Sequence, residues 1–230
     1  MSSADCPHPP IAAPLGDVVT ERLELRRLRP GDLDGLARVF AKREVWEFPF
    51  GRGFSPEETA TFLGNQITQW QECGFGLWAA SERASDDPSD DPPPGSRPSG
   101  DQAAGPGASR PIAGFAGLSI PRFLPEILPA VEVGWRLDPA VWGRGYATEA
   151  AGAALTEAFT TLGLDEVCAV VQAGNTRSVR VAERLGMRLV RPVEIPPNER
   201  RSRLDALLFT ITATEWLARR RGQGFRARTT

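Results

Sequence analysis

The chain has 230 residues, a hydrophobic fraction of 41% and a formal net charge of −2, values that exclude global disorder and a dedicated basic nucleic-acid binder. Its three scattered cysteines, Cys6, Cys73 and Cys168, and its single histidine, His8, form no metal-ligand spacing, so neither a zinc site nor a disulfide framework is expected. No apolar run approaches the roughly 20 residues that span a bilayer, and the N-terminus lacks a signal-peptide pattern; the expectation is a cytoplasmic protein with no membrane partner.

In chain order, residues 1–16 read as a disordered tail, 17–221 as one globular domain and 222–230 as a second tail. Thr20 to Leu28 alternates Leu23 and Leu25 with charged residues, the period of a strand with one wet face. Pro30 to Phe40 places Leu33, Leu36, Ala37 and Phe40 at helical spacing. Trp46-Glu47-Phe48 falls in a loop and offers a substrate wall. Ser55-Pro56-Glu57-Glu58 has an N-cap serine, proline at the first position and acids in the first turn, so a helix should run to about Gln71.

Strands follow around 75–81, 112–120 and 130–137. Between the first two, residues 84–110 are almost wholly Pro, Gly, Ser, Asp and other small or polar residues. Such a segment buries too little surface to offset its ordering entropy and reads as a disordered hairpin insertion. From Gly145 to Leu162 one apolar stripe, rich in alanine, gives the strongest helix pattern. Glu166 to Gln172 is a short strand, and Asn175 to Leu185 a helix closed by Gly186. Arg188 to Val193 and Ala206 to Thr212 are two further strands, and Thr214 to Arg221 a terminal helical turn or two. This order describes a single α/β (α+β) domain with a mixed, mostly antiparallel sheet flanked by helices.

The most telling stretch is Trp142-Gly143-Arg144-Gly145-Tyr146-Ala147, a turn between a strand and the alanine-rich helix. Backbone N–H groups at a helix start have no intrahelical partner and carry partial positive charge. Glycine there leaves them open to an anion. The turn, the strand before it and Asn175-Thr-Arg-Ser178 downstream resemble the GNAT superfamily of acyl-CoA-dependent N-acyltransferases over about residues 18–216. Glu132 to Ala150 is similar to the subgroup containing ribosomal-protein N-terminal-alanine acetyltransferases, in which a Trp at position 142 is common. The Asn-x-x-Ser helix ending in Leu185-Gly186-Met187 resembles the second superfamily motif.

The resemblance implies acetyl-CoA as cosubstrate and a primary amine as acceptor, either a protein N-terminus or a small molecule. It places pyrophosphate on the amides of Gly143, Arg144, Gly145, Tyr146, Ala147 and Thr148, with pantetheine added like a strand along Trp135, Arg136 and Leu137 and bonded by Asn175. Glu132 is the implied general base, with Glu194 and Glu199 as alternatives. The tyrosine acid of many members is replaced by Ala182, so Ser178 becomes the implied proton donor or water holder. No nucleophile is placed for a covalent intermediate, and no metal is implied. A homodimer is an assembly found among subgroup members. Two rivals remain at this point: a catalytically silent acyl-CoA-binding regulatory module, and a nucleotide-binding domain using the same turn.

Overall fold

The computed structural model describes Cys6 and residues 14–83, 110–199 and 201–226. The alternating stretches form one eight-stranded sheet: β1 (Val18–Val19), β2 (Leu23–Arg27), β3 (Leu77–Glu82), β4 (Ile112–Ser119), β5 (Glu132–Leu137), β6 (Glu166–Gln172), β7 (Arg188–Ile195) and β8 (Leu204–Thr212). Their order across the sheet is β1-β2-β3-β4-β5-β6-β8-β7. Every neighbouring pair is antiparallel except β5 and β6.

Strand alternation sorts the core onto the two faces of this sheet. On β3 and β4, Trp78, Ala80, Ala116 and Leu118 join one buried cluster, whereas Leu77, Ala79 and Phe115 join another. The first cluster contains the buried alanines of α4 (Tyr146–Thr160), whose small side chains seat it on β4 and β5. α5 (Thr176–Leu185) and Trp216 of α6 (Ala213–Arg226) pack on the same side. The second cluster receives Leu36, Val39 and Phe40 of α1 (Leu33–Phe40) and Leu63 of α3 (Pro56–Cys73). α3 begins with a reciprocal capping box: Glu58 N–H donates to Ser55 Oγ at 3.2 Å, and Ser55 N–H donates to Glu58 Oε2 at 2.9 Å.

The parallel pair is where the sheet opens. β5 and β6 share one register pair, Glu132 with Cys168, and Cys168 N–H donates to Val131 O at 2.9 Å. Beyond it the strands diverge. On the opposite edge Asp138 N–H donates to Ala113 O at 2.7 Å, in line with the β4 register. Backbone groups alternate sides along a strand. Those of Val133, Trp135 and Leu137 therefore face the gap, while those of Arg136 face β4.

The structure corrects several expectations. Cys6 and Cys73 form a disulfide although they are 67 residues apart: the end of α3 lies against the N-terminal segment, a proximity that spacing does not encode. Leu15, assigned to a disordered tail, is fully buried and donates its N–H to Gly74 O at 2.8 Å. Trp46 to Phe48 is not a plain loop, because a 3-10 turn (Arg43–Val45) and the short α2 (Glu47–Phe50) enclose Trp46 in the core. α6 continues to Arg226, past the expected boundary at 221. The remainder of the expected N-terminal tail, insertion residues 84–109 and residues 227–230 lie outside the described residues.

The disulfide has a direct readout. A thiol reagent should label none of the three cysteines in the folded, unreduced chain, and only buried Cys168 after denaturation. Reduction should expose the other two and lower stability by about 2–5 kcal/mol. Labelling of Cys73 without reductant would contradict the bond.

Candidate active site

The turn before α4 is built from both sides. Asp138 Oδ1 accepts Ala140 N–H at 2.9 Å, and the Lys42 ammonium grips both Asp138 oxygens at 2.8 and 2.6 Å. Gly143 and Gly145 then adopt φ of 80° and 83°, a left-handed conformation that side chains resist. A Cβ added at Gly143 would meet nothing within 4 Å, so open space borders the turn, and the N–H groups at the start of α4 have no intrahelical partner. That space is a cavity of about 510 Å³, bounded by the turn, the end of β5 and α5. Gly143, Gly145, Tyr146, Ala147 and Thr148 all line it.

Arg144 does not. Its guanidinium pairs with Glu82, which also accepts the Tyr146 hydroxyl at 2.7 Å. The only tyrosine of the chain is thereby anchored to β3 and supplies no proton donor to the gap. Trp142 donates its indole N–H to Leu137 O at 2.8 Å and lies under the Arg177 guanidinium, 4.5 Å from the ring centroid. Arg177, Arg180 and Arg184 of α5 are exposed, line the cavity and have no carboxylate partner among the described residues. Sequence reading missed these three. Their i, i+3, i+7 spacing, which puts them on one helix face, was the available signal.

On the other side of β5 lies a second cavity of about 540 Å³. Its walls are aromatic: Trp46 stacks on Phe54 at 3.7 Å between centroids, and Phe62 and Phe115 stand nearby. Glu132 projects into it, opposite to Val131 and Val133, which enter the α4-side core. Its carboxylate sits at the strand fork, where Val170 N–H donates to Oε1 and Ser119 Oγ donates to Oε2, each at 3.2 Å. Burial dominates these hydrogen bonds and the nearby Arg136 charge, and pushes the carboxyl up from 4.5 to about 7. Glu194 and Glu199 are exposed and line neither cavity; Glu194 pairs with Arg203 at 3.0 Å.

The two cavities meet at Phe48, Trp135, Arg136, Asn175 and Ser178, which line both. Asn175 caps α5, its Oδ1 accepting Ser178 N–H at 3.2 Å. Arg136 has a different place from the one expected. Its backbone faces β4, and its guanidinium donates to the carbonyls of Val45 and Phe48 while lying 3.9 Å from the Trp46 ring centroid. Burial pulls its pKa down to about 10. Ala182 is completely buried, so the position that carries tyrosine in many superfamily members holds only a core methyl.

A family profile described as an acetyltransferase (GNAT) domain matches residues 22–188. The chain belongs to the GNAT acetyltransferase family. The uncharacterized N-acetyltransferase YnaD of Bacillus subtilis (strain 168) is 40% identical over 57 residues, 25% of this chain and 34% of that protein. The uncharacterized protein YkkB of the same strain is also 40% identical over 57 residues, covering 33% of its length. The matched stretch thus spans about a third of these curated relatives.

The fold is similar to a GNAT-family acetyltransferase from Bacillus anthracis, with a TM-score of 0.62 at 20% identity over 86% of this chain and 99% of that one. It is also similar to the ribosomal-protein-S5-alanine acetyltransferase from Vibrio fischeri, with a TM-score of 0.60 at 17% identity over 87% and 98% of the two chains. GNAT members take acetyl groups from acetyl-CoA. The open amides and the three arginines are a donor set suited to its phosphates.

Two outcomes are expected. Reversing charge in Arg180→Glu or Arg184→Glu should weaken acetyl-CoA binding in calorimetry by about 10-fold, more at low salt, since solvated charge pairs are screened. Unchanged affinity would remove α5 from the phosphate site. The raised Glu132 pKa also has a stability sign: between 4.5 and about 7 the folded chain holds a proton that the unfolded chain has released. Stability should therefore fall as pH rises across this window, by up to about 3 kcal/mol, and then level. Denaturant melts of Glu132→Gln should lack this slope.

Proposed function

We propose that the chain is an acetyl-CoA-dependent N-acetyltransferase that acts on a primary amine by direct attack in a ternary complex. The observation that carries this reading is the meeting of two cavities at the β5–β6 fork, one bordered by open helix-start amides and arginines and the other by a buried carboxylate. Acetyl-CoA occupies the first, with pyrophosphate on the amides of Gly143 and residues 145–148 and pantetheine along the free edge at Trp135 and Leu137. The acceptor amine enters the second.

Glu132, as carboxylate, takes a proton from the ammonium, and the freed amine nitrogen attacks the thioester carbonyl. The C–N bond forms and the C–S bond breaks. The nitrogen gives up its second proton to Ser178 or to water held there, which passes one to the departing sulfur, so that the neutral amide and the CoA thiol leave and Glu132 returns its proton to solvent. A carboxyl titrating at about 7 is matched to this work, being both available as base and strong enough to accept the proton near neutrality. The acceptor is a protein N-terminus or a small-molecule amine; likeness in fold to a ribosomal-protein acetyltransferase supports the first without deciding it.

CoA release with an amine panel tests the reading. With one acceptor throughout, kcat/KM of the native enzyme should rise with an apparent pKa of about 7 for Glu132. Glu132→Gln should lose that limb and about 10²- to 10⁴-fold in turnover, the usual contribution of a positioned base. An unaltered profile would move the base elsewhere.

A further inference from the structure

The acceptor cavity is aromatic, yet it gathers unsatisfied polar atoms. Seven buried side-chain nitrogen or oxygen atoms lack a hydrogen-bond partner among the described residues, and four belong to residues that line this cavity: Trp46 Nε1, Gln66 Oε1, Gln172 Oε1 and Arg201 Nε. A buried polar atom without a partner costs about as much as a lost hydrogen bond. A cluster of them around one opening marks groups completed from outside.

The donors among them are held in place. The Trp46 indole is fixed by Phe54 on its ring and by the Arg136 guanidinium. Arg201 sits between β7 and β8, where its backbone exchanges hydrogen bonds with Asn198 at 3.0 and 3.3 Å. Its Nη2 donates to Pro196 O at 3.3 Å, its guanidinium lies 5.9 Å from the Phe123 ring centroid, and Nε is left over. Burial pulls its pKa down with no acid beside it to compensate. Among the described residues Glu132 is the only acid lining this cavity, and Arg136 is already taken by backbone carbonyls. Beyond the base, the described lining offers a second cationic centre only neutral acceptors such as Gln66 and Gln172 Oε1, whereas it offers an oxygen a charge-bearing donor.

We infer that the acceptor is an amine whose apolar body also carries a carbonyl oxygen, a carboxylate or an amide, received by the Arg201 guanidinium with Trp46 N–H as the second donor. This rests on the proposed acetyl transfer and names its substrate class; polyamines and aminoglycoside-like polycations fall outside it. A site built to hydrogen-bond a substrate group rejects the analogue that lacks it far more strongly than an apolar wall does.

The test is kcat/KM for L-phenylalanine, L-phenylalaninamide, L-alanyl-L-phenylalanine, phenethylamine and spermidine, with acetyl-CoA binding measured separately. At least one carbonyl-bearing acceptor should exceed phenethylamine by about 10-fold or more, with spermidine poorest. Arg201→Gln should collapse that ratio by about 10- to 100-fold. Trp46→Phe, which keeps the ring and loses the donor, should reduce it less. Preference for phenylalanine over its amide identifies a carboxylate, the reverse an amide carbonyl, and either supports the inference. It is overturned if phenethylamine or spermidine is used as well as the others, if Arg201→Gln keeps the ratio, or if none is acetylated while acetyl-CoA binds. Absence of acetyl-CoA binding would instead overturn the transferase reading itself.

Discussion

The organisation of this protein depends on one interruption in a hydrogen-bond ladder. β5 and β6 pair parallel at Glu132 and Cys168 and then part. Two strands leaving a ladder expose N–H and C=O groups that must be satisfied elsewhere. On β6, Val170 N–H is taken by the Glu132 carboxylate. On β5, Leu137 O is taken by the Trp142 indole. Side chains of the chain itself thus hold the fork open, which leaves room for an extended ligand to add to the edge without first separating two paired strands.

That arrangement also divides the electrostatics. Odd-numbered residues of β5 turn toward α4, and Glu132, Gly134 and Arg136 turn toward the aromatic cavity. On the first side the start of α4 and the three exposed arginines of α5 supply positive charge, against two acids, Glu44 and Glu47, that line the same cavity. The second side holds a carboxyl kept near neutrality by burial. Arg136 could have lowered that pKa strongly, but it is bound to the Val45 and Phe48 carbonyls and desolvated itself. Its role in the architecture is to tie the segment before α3 to the central strand and hold Trp46 in place.

Local patterns made most of the scaffold readable. Glu166–Gln172 follows the expected bounds, and the Ser55 cap, the Gly186 cap and the alanine stripe of α4 each rest on neighbours within a few residues. What escaped was long-range. The Cys6–Cys73 bond joins residues whose proximity is set by how α3 packs. Arg136 shares a strand with Trp135 and Leu137, yet its backbone faces the other way, a distinction fixed by register and not by residue type. The acidity of Glu132 depends on its burial and on Val170, Ser119 and Arg136, which lie on three different strands. A strand pattern locates that side chain along the chain but cannot give its environment.

The missing phenol fits the same geometry. Where many superfamily members have a tyrosine, Ala182 fills the core beneath α5, and Tyr146 is bonded to Glu82 on the far side of the turn. A departing thiolate needs charge stabilisation at least as much as an immediate proton. At the junction of the cavities it would meet the first turn of α5, where helix-start N–H groups, the Ser178 side chain and nearby exposed arginines supply positive potential. A thiol is acidic enough that such surroundings lower its proton demand near neutral pH. In the proposed reaction the fork therefore assigns the stringent proton transfer to the amine side, where Glu132 is buried and tuned, and leaves the sulfur side to electrostatics and a serine or water.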